Sequence, residues 1–287
     1  MTIVDATLLG ALQGLTEFLP ISSSGHLILM EKVLNLPFEY LKSFDIAVHF
    51  GTLLAIVAYF RKTIWDLAKA FFVTPWKFLT QGKKAHFSDE IRKNQQLLGQ
   101  LILASIPAFI IGVTLSDWLD ERFRNPFSVA IFFVIVGILF FVAEYIFKKV
   151  KKQPRGLVQS VLMGFAQCLA LIPGISRSGI TISAGLVQGV EREEAARFSF
   201  LLGAVAIFGG AVFAIVAVLK GKYALPNLDV LIIGILSSFI VGLAAISFLM
   251  KFLKKHTLHV FGVYRILIGL TILGLSLYNF LTLTPIR

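Results

Sequence analysis

Apolar stretches close to 20 residues long recur along the chain, at 44–60, 97–115, 127–147, 198–219, 228–250 and 260–283. Each has the length a helix needs to cross about 30 Å of hydrocarbon. The pattern predicts an all-α polytopic membrane protein with six transmembrane helices. A β-barrel would instead alternate apolar and polar residues over short segments.

Two polar islands interrupt this pattern, and they are copies of one another. The first reads Gln13-Gly-Leu-Thr-Glu17-Phe-Leu-Pro20-Ile-Ser22-Ser23-Ser24-Gly25-His26, the second Gln167-Cys-Leu-Ala-Leu-Ile-Pro173-Gly174-Ile-Ser176-Arg177-Ser178-Gly179. A gapless shift of 154 positions superimposes Gln13, Leu15, Ile21, Ser22, Ser24, Gly25 and Ile28 on Gln167, Leu169, Ile175, Ser176, Ser178, Gly179 and Ile182. The offset carries Phe44 onto Phe198, then shortens to 130, where Phe109-Ile110 meets Phe239-Ile240. A single integral membrane domain, residues 1–287, is therefore read as two repeats, about 1–150 and 155–287.

Pro20 and Pro173-Gly174 stop helices, and Gly25 and Gly179 permit backbone that helices do not use. Each repeat then consists of one broken, re-entrant helix-turn-helix hairpin and three full spans. Three crossings invert the second repeat relative to the first. Both hairpin tips would meet near the midplane, where irregular backbone is tolerated only if it is buried in protein or lines a wet cavity.

Composition agrees: 57% of residues are hydrophobic, and the mean hydropathy is +0.84. The formal charge of +11 raises the question of nucleic acid, but the basic residues flank the spans, which reads as topology and lipid headgroups, with no nucleic acid. Loops 61–96, 148–156, 191–197 and 251–259 hold 18 of the 27 Lys and Arg residues; the opposite face, 31–43, 116–126, 220–229 and the C-terminus, holds 7. The richer face is cytoplasmic, which puts both termini and the first island outside, in a bacterial cytoplasmic (inner) membrane. The N-terminus has no basic region before its apolar run, which argues against a cleaved signal peptide. Cys168 is the single cysteine, so no internal disulfide forms.

The chemistry-bearing residues lie in the islands. Charge inside a membrane segment asks for a partner, and Glu17 and Arg177 are candidates for each other. Gln13 and Glu17, four apart, share a helix face. A divalent cation, Mg²⁺ or Ca²⁺, would find two donors there and take the rest from substrate phosphates. Ser22, Ser23, Ser24 and Gly25 present successive hydroxyls and amides, a nest for an anion. Gly174, Ser176, Ser178 and Gly179 offer a second nest beside the Arg177 guanidinium, which matches phosphate. His26, close to Ser23 and Glu17, has the makings of a Ser–His–carboxylate group. His49 lies in a full span with an open role. His86, His256 and His259 read as solvated loop residues, and Glu144 and Arg265 as span-end residues that snorkel or pair. Trp65, Phe71, Phe72, Trp76 and Phe78, interleaved with Lys, read as an interfacial segment.

Together, Gln13-xxx-Glu17, Pro20-Ile-Ser-Ser-Ser-Gly-His26 and Pro173-Gly174-Ile-Ser-Arg177-Ser-Gly179 resemble the BacA-type undecaprenyl-pyrophosphate phosphatases, the bacitracin-resistance family. The resemblance extends over Phe44-Asp45 and Arg197-Phe198-Ser199-Phe200-Leu201-Leu202. It implies six spans with two re-entrant hairpins in an interlocked inverted repeat. It also implies a C55 isoprenoid diphosphate substrate, cleaved at the outer face to recycle the carrier for peptidoglycan synthesis. By position, Glu17 matches the family's essential acid, Ser23 and His26 the proposed nucleophile and its neighbour, and Arg177 the phosphate clamp. Gln13 leaves only one carboxylate in the acidic element. Either Ser23 or an activated water would attack. The rival reading is a flippase or transporter of the lipid carrier, an architecture that inverted repeats also serve. Oligomeric state is left open, with a homodimer allowed.

Overall fold

The computed structural model of the protein describes residues 1–36, 38–81, 87–221 and 224–283. Among them run eleven helices and no strand: α1 (Ile3–Phe18), α2 (Ser23–Val33), α3 (Phe38–Tyr59), α4 (Arg61–Gln81), α5 (Asp89–Phe123), α6 (Pro126–Lys149), α7 (Leu157–Leu169), α8 (Arg177–Val187), α9 (Arg192–Leu219), α10 (Leu228–Leu253) and α11 (His259–Leu283). Six of these, α3, α5, α6, α9, α10 and α11, are long and apolar enough to cross a membrane, so the protein is a multi-pass membrane protein.

Local sequence explains the helix ends. Thr2 and Asp5 form a reciprocal capping box at the start of α1. Leu19, which precedes Pro20, turns extended and ends that helix. Asn125 caps α6, whose first position is Pro126, where a missing N–H costs nothing.

The remaining helices are shorter. α1 and α2 have 16 and 11 residues, α7 and α8 have 13 and 11. At 1.5 Å per residue even the longest falls short of about 30 Å. Each pair is a helix-turn-helix unit packed on a long helix from the other half of the chain. α1 lies along α10 and α7 along α5, while α3 contacts both α9 and α10 and α6 pairs with α11. The core between them is apolar, with Phe18 edge-on to Phe200 at 5.5 Å and Phe140, Met163, Ile182 and Leu202 fully buried. Phe109, Val113, Phe208, Ile215 and Leu267 point outward and are exposed, as lipid-facing residues should be.

Four stretches expected as loops carry helix. The end of α2 and the first turns of α3 lie in 31–43, α4 and the first turns of α5 lie within 61–96, α5 runs on through most of 116–126, and α9 begins inside 191–197. Charged residues mark where a chain leaves hydrocarbon, but Lys, Arg and Glu are good helix formers and do not end a helix. On α4, Trp65, Phe71 and Phe72 are exposed, with Lys69 over the Trp65 ring. His86 and the side chains of Trp76 and Phe78 lie outside the described residues.

Candidate functional site

The turns of the two helix-turn-helix units touch. The Gly174 amide lies 3.5 Å from Ser24 Oγ, and Ser178 Oγ lies 3.5 Å from the Leu19 carbonyl. Each turn has the same local geometry. Ser22 caps α2 with φ of +76° and Ser176 caps α8 with φ of +75°, a left-handed backbone that non-glycine residues adopt only under constraint. Their hydroxyls accept from the amides of Gly25 and Gly179, at 3.3 and 3.2 Å. Ser24 and Ser178 stand beside them, at 3.4 and 3.3 Å between hydroxyls. The duplicated sequence thus folds twice into the same strained, hydroxyl-rich cap, a geometry suited to holding an anion.

Glu17, in the last turn of α1, is the centre of the polar cluster and only 8% exposed. Its Oε1 accepts from Arg177 Nη2 at 2.6 Å. Its Oε2 accepts from Ser23 Oγ at 2.5 Å and Gln13 Nε2 at 3.1 Å, and lies 3.7 Å from His49 Nε2. Arg177 also donates from Nη1 to the Ser199 carbonyl at 3.0 Å. α9 makes room for its guanidinium at Gly203, where a Cβ would fall 1.6 Å from Nη1. Glu17, Ser23, Arg177 and Gln13, which sequence spacing singled out, therefore form one cluster, joined by His49 from α3.

His26 does not join it. Its Nδ1 bonds the Ser22 carbonyl at 2.8 Å and its Nε2 the Tyr264 hydroxyl at 2.8 Å, with the Tyr264 ring stacked at 5.8 Å. The carbonyl one helical turn back pins the ring along α2, so Nε2 faces α11. Ser23 has Glu17 as its acceptor instead, so the expected Ser–His–carboxylate order is absent here.

Tyr264 and Gly203 went unrecognised in the sequence, and Ser199 entered only as part of the Arg197–Leu202 stretch, with no role. Ser199 and Gly203 stand 154 positions after Asp45 and His49, and that offset is the signal that pairs them with the site. Glu144 pairs with Arg192 and accepts from the Leu258 amide. Arg265, also read as a span-end residue, has no ion-pair partner among the described residues.

No group of three or more His, Cys, Asp or Glu residues suited to a metal occurs among the described residues. Gln13 Oε1, however, is a buried acceptor with no partner. With Glu17 it fits a cation that draws most of its shell from substrate and water, as Mg²⁺ does.

Comparison with known proteins bears on this cluster. Residues 6–271 match the family described as Bacitracin resistance protein BacA. The undecaprenyl-diphosphatase of Rubrobacter xylanophilus is 39% identical over 96% of this chain and 99% of its own length. That of Trichlorobacter lovleyi is 40% identical over 96% and 97%. That of Clostridium tetani is 35% identical over 99% and 100%.

Proposed function

The chain belongs to the BacA family of undecaprenyl-diphosphatases, and from that premise we propose that the Glu17–Ser23–Arg177 cluster removes the terminal phosphate of an isoprenoid diphosphate lipid. The reaction takes place on the outer side of the bacterial cytoplasmic membrane, and its products are the lipid monophosphate and inorganic phosphate. It returns carrier lipid to peptidoglycan synthesis and confers bacitracin resistance. The relatives' shared name favours this over the transport reading.

In this reading the whole chain is one membrane domain, α1–α2 and α7–α8 are re-entrant hairpins and the two halves are inverted repeats. Two features support it: the short pairs are too short to cross, and each packs on the other half. The substrate's tail lies among the spans while the diphosphate reaches the twin turns. The hydroxyls and amides of Ser22, Ser24, Gly25, Gly174, Ser176, Ser178 and Gly179 surround it, and the Arg177 guanidinium neutralises the charge that develops on the transferring group.

The single observation that carries the chemistry is the 2.5 Å contact between Ser23 Oγ and Glu17 Oε2. Glu17 takes the Ser23 proton as the serine oxygen bonds to the terminal phosphorus. The bond to the bridging oxygen breaks, and its electron pair leaves with the lipid monophosphate. Water then cleaves the phosphoserine, releasing inorganic phosphate, and Ser23 recovers a proton from Glu17. Arg177 binds Oε1 of Glu17 and so orients Oε2 towards Ser23. A divalent cation, Mg²⁺ or Ca²⁺, would be held by Gln13 Oε1 and Glu17, and when bound would supply positive charge to the phosphate oxygens.

The test is phosphate release by the purified protein, followed by trapping of the phosphorylated enzyme. Modification mapped to Ser23, with activity down about 10³-fold or more in Ser23→Ala, is the expected result. A fully active Ser23→Ala protein would leave direct attack by water.

A further inference from the structure

One guanidinium stands behind both turns. Arg265 on α11 is fully buried, at 0% exposure. Its Nη2 donates to the carbonyls of Gly174 at 2.6 Å and Phe132 at 3.1 Å, while Nε and Nη1 have no partner. Two α6 rings close over it, with the centroids of Phe133 and Phe140 at 4.8 and 5.8 Å from Cζ. Between them α6 carries Gly137, where a Cβ would lie 3.3 Å from Arg265 Cβ and 2.9 Å from the Gly262 carbonyl.

Those same two rings press on the glycines of the two turns. A Cβ at Gly25 would lie 2.5 Å from Phe133, and one at Gly179 would lie 2.7 Å from Phe140. Phe133 also packs on His26 at 5.2 Å, and Tyr264, next to Arg265, holds the far nitrogen of that imidazole. Arg265 therefore reaches Gly174 directly, and Gly25, Gly179 and His26 through one intervening side chain.

A buried cation with no carboxylate partner is expensive within a membrane and persists where the structure uses it. Packing alone does not account for this one, since an apolar side chain of the same length would fill the slot between two phenyl rings without the cost of burying charge. We infer that Arg265 is the positioning residue of the phosphate site, an assignment that rests on the phosphatase reading above. It holds the Gly174 carbonyl, so that the second turn keeps the φ of +98° at that glycine. It wedges Phe133 and Phe140 against both turns. Its uncompensated charge lies behind the nest, and the arriving diphosphate balances it.

The experiment uses the detergent-purified full chain and a polyprenyl diphosphate. Arg265→Met keeps the length and removes the charge, Arg265→Lys keeps the charge without the planar fork, and Arg265→Gln keeps a donor without the charge. We expect kcat/KM to fall about 10²-fold in Arg265→Met, with Lys recovering about tenfold of that and Gln not. Inhibition by inorganic phosphate should weaken about tenfold in Met and Gln but less in Lys. Where Arg265→Met fails to fold, the comparison of Lys with Gln carries the test. The proposal is overturned if Gln matches the wild type, or if Lys is no better than Gln and activity simply follows thermal midpoint across the series. A wild-type protein that releases no phosphate would sink the phosphatase reading instead.

Discussion

Glu17 spends its two oxygens on four neighbours: a guanidinium, a hydroxyl, an amide and an imidazole. The guanidinium contact depends on a residue that has no chemistry of its own: the missing side chain of Gly203 is the space the Arg177 guanidinium occupies. Gly203→Ala should therefore displace Arg177 and lower phosphate release about 10²-fold. The clash meets a guanidinium pinned between Glu17 and the Ser199 carbonyl, so displacing it leaves Glu17 without its cation and should also lower stability by about 3 kcal/mol. Unchanged activity in that variant would mean the guanidinium does not act from this position. Glu31, near the end of α2, and Asp45, on α3, both pair with Arg124. Burial first, and then the Asp45 charge, push the Glu31 carboxyl up to about 8 from 4.5, against the pull of Arg124. The folded protein thus keeps a proton that the unfolded chain releases. Stability from this group is greatest below about 4.5 and falls as pH rises towards about 8. Thermal midpoints at pH 5 and 8 should show that fall in the wild type and much less of it in Glu31→Gln.

At the scale of elements, duplication makes the two hairpins alike and chemistry makes them differ. Both caps use a serine at positive φ bonded to a glycine amide, so the turn geometry follows from the shared Ser-x-Ser-Gly spacing. The amides on the preceding helices have diverged. Gln13 donates to Glu17, whereas Gln167, 3% exposed on α7, has neither its oxygen nor its nitrogen bonded. A buried polar group left unpaired costs about 1–3 kcal/mol. Gln167→Met should accordingly raise stability by about 1–2 kcal/mol with phosphate release unchanged, as read by thermal unfolding beside the activity assay. A destabilised variant would show that Gln167 has a partner when the protein works. The spans were legible because burial in lipid demands long apolar runs. The helix α4 and the extensions of α5 and α9 were not, because polar sequence outside the hydrocarbon is compatible with helix or loop alike.

At the scale of the molecule, charge placement sets orientation. The excess of Lys and Arg on one face predicts that residues 148–156 are cytoplasmic and 116–126 external. In a Cys168→Ser background, a membrane-impermeant maleimide should label Glu121→Cys in intact cells and Lys151→Cys only after lysis; the reverse pattern would invert the topology. The sequence by itself determined the helical class, the number of spans, the duplicated Ser/Gly turns and the family, since these depend on local patterning and on motif spacing. Only the tertiary structure decided the partners. It gave Ser23 to Glu17 and turned His26 to Tyr264; it brought His49 in from α3 and set an unpaired Arg265 behind both turns. Those outcomes depend on how helices from opposite halves cross, and contacts between residues 160 or 238 positions apart are fixed by packing that no local pattern encodes.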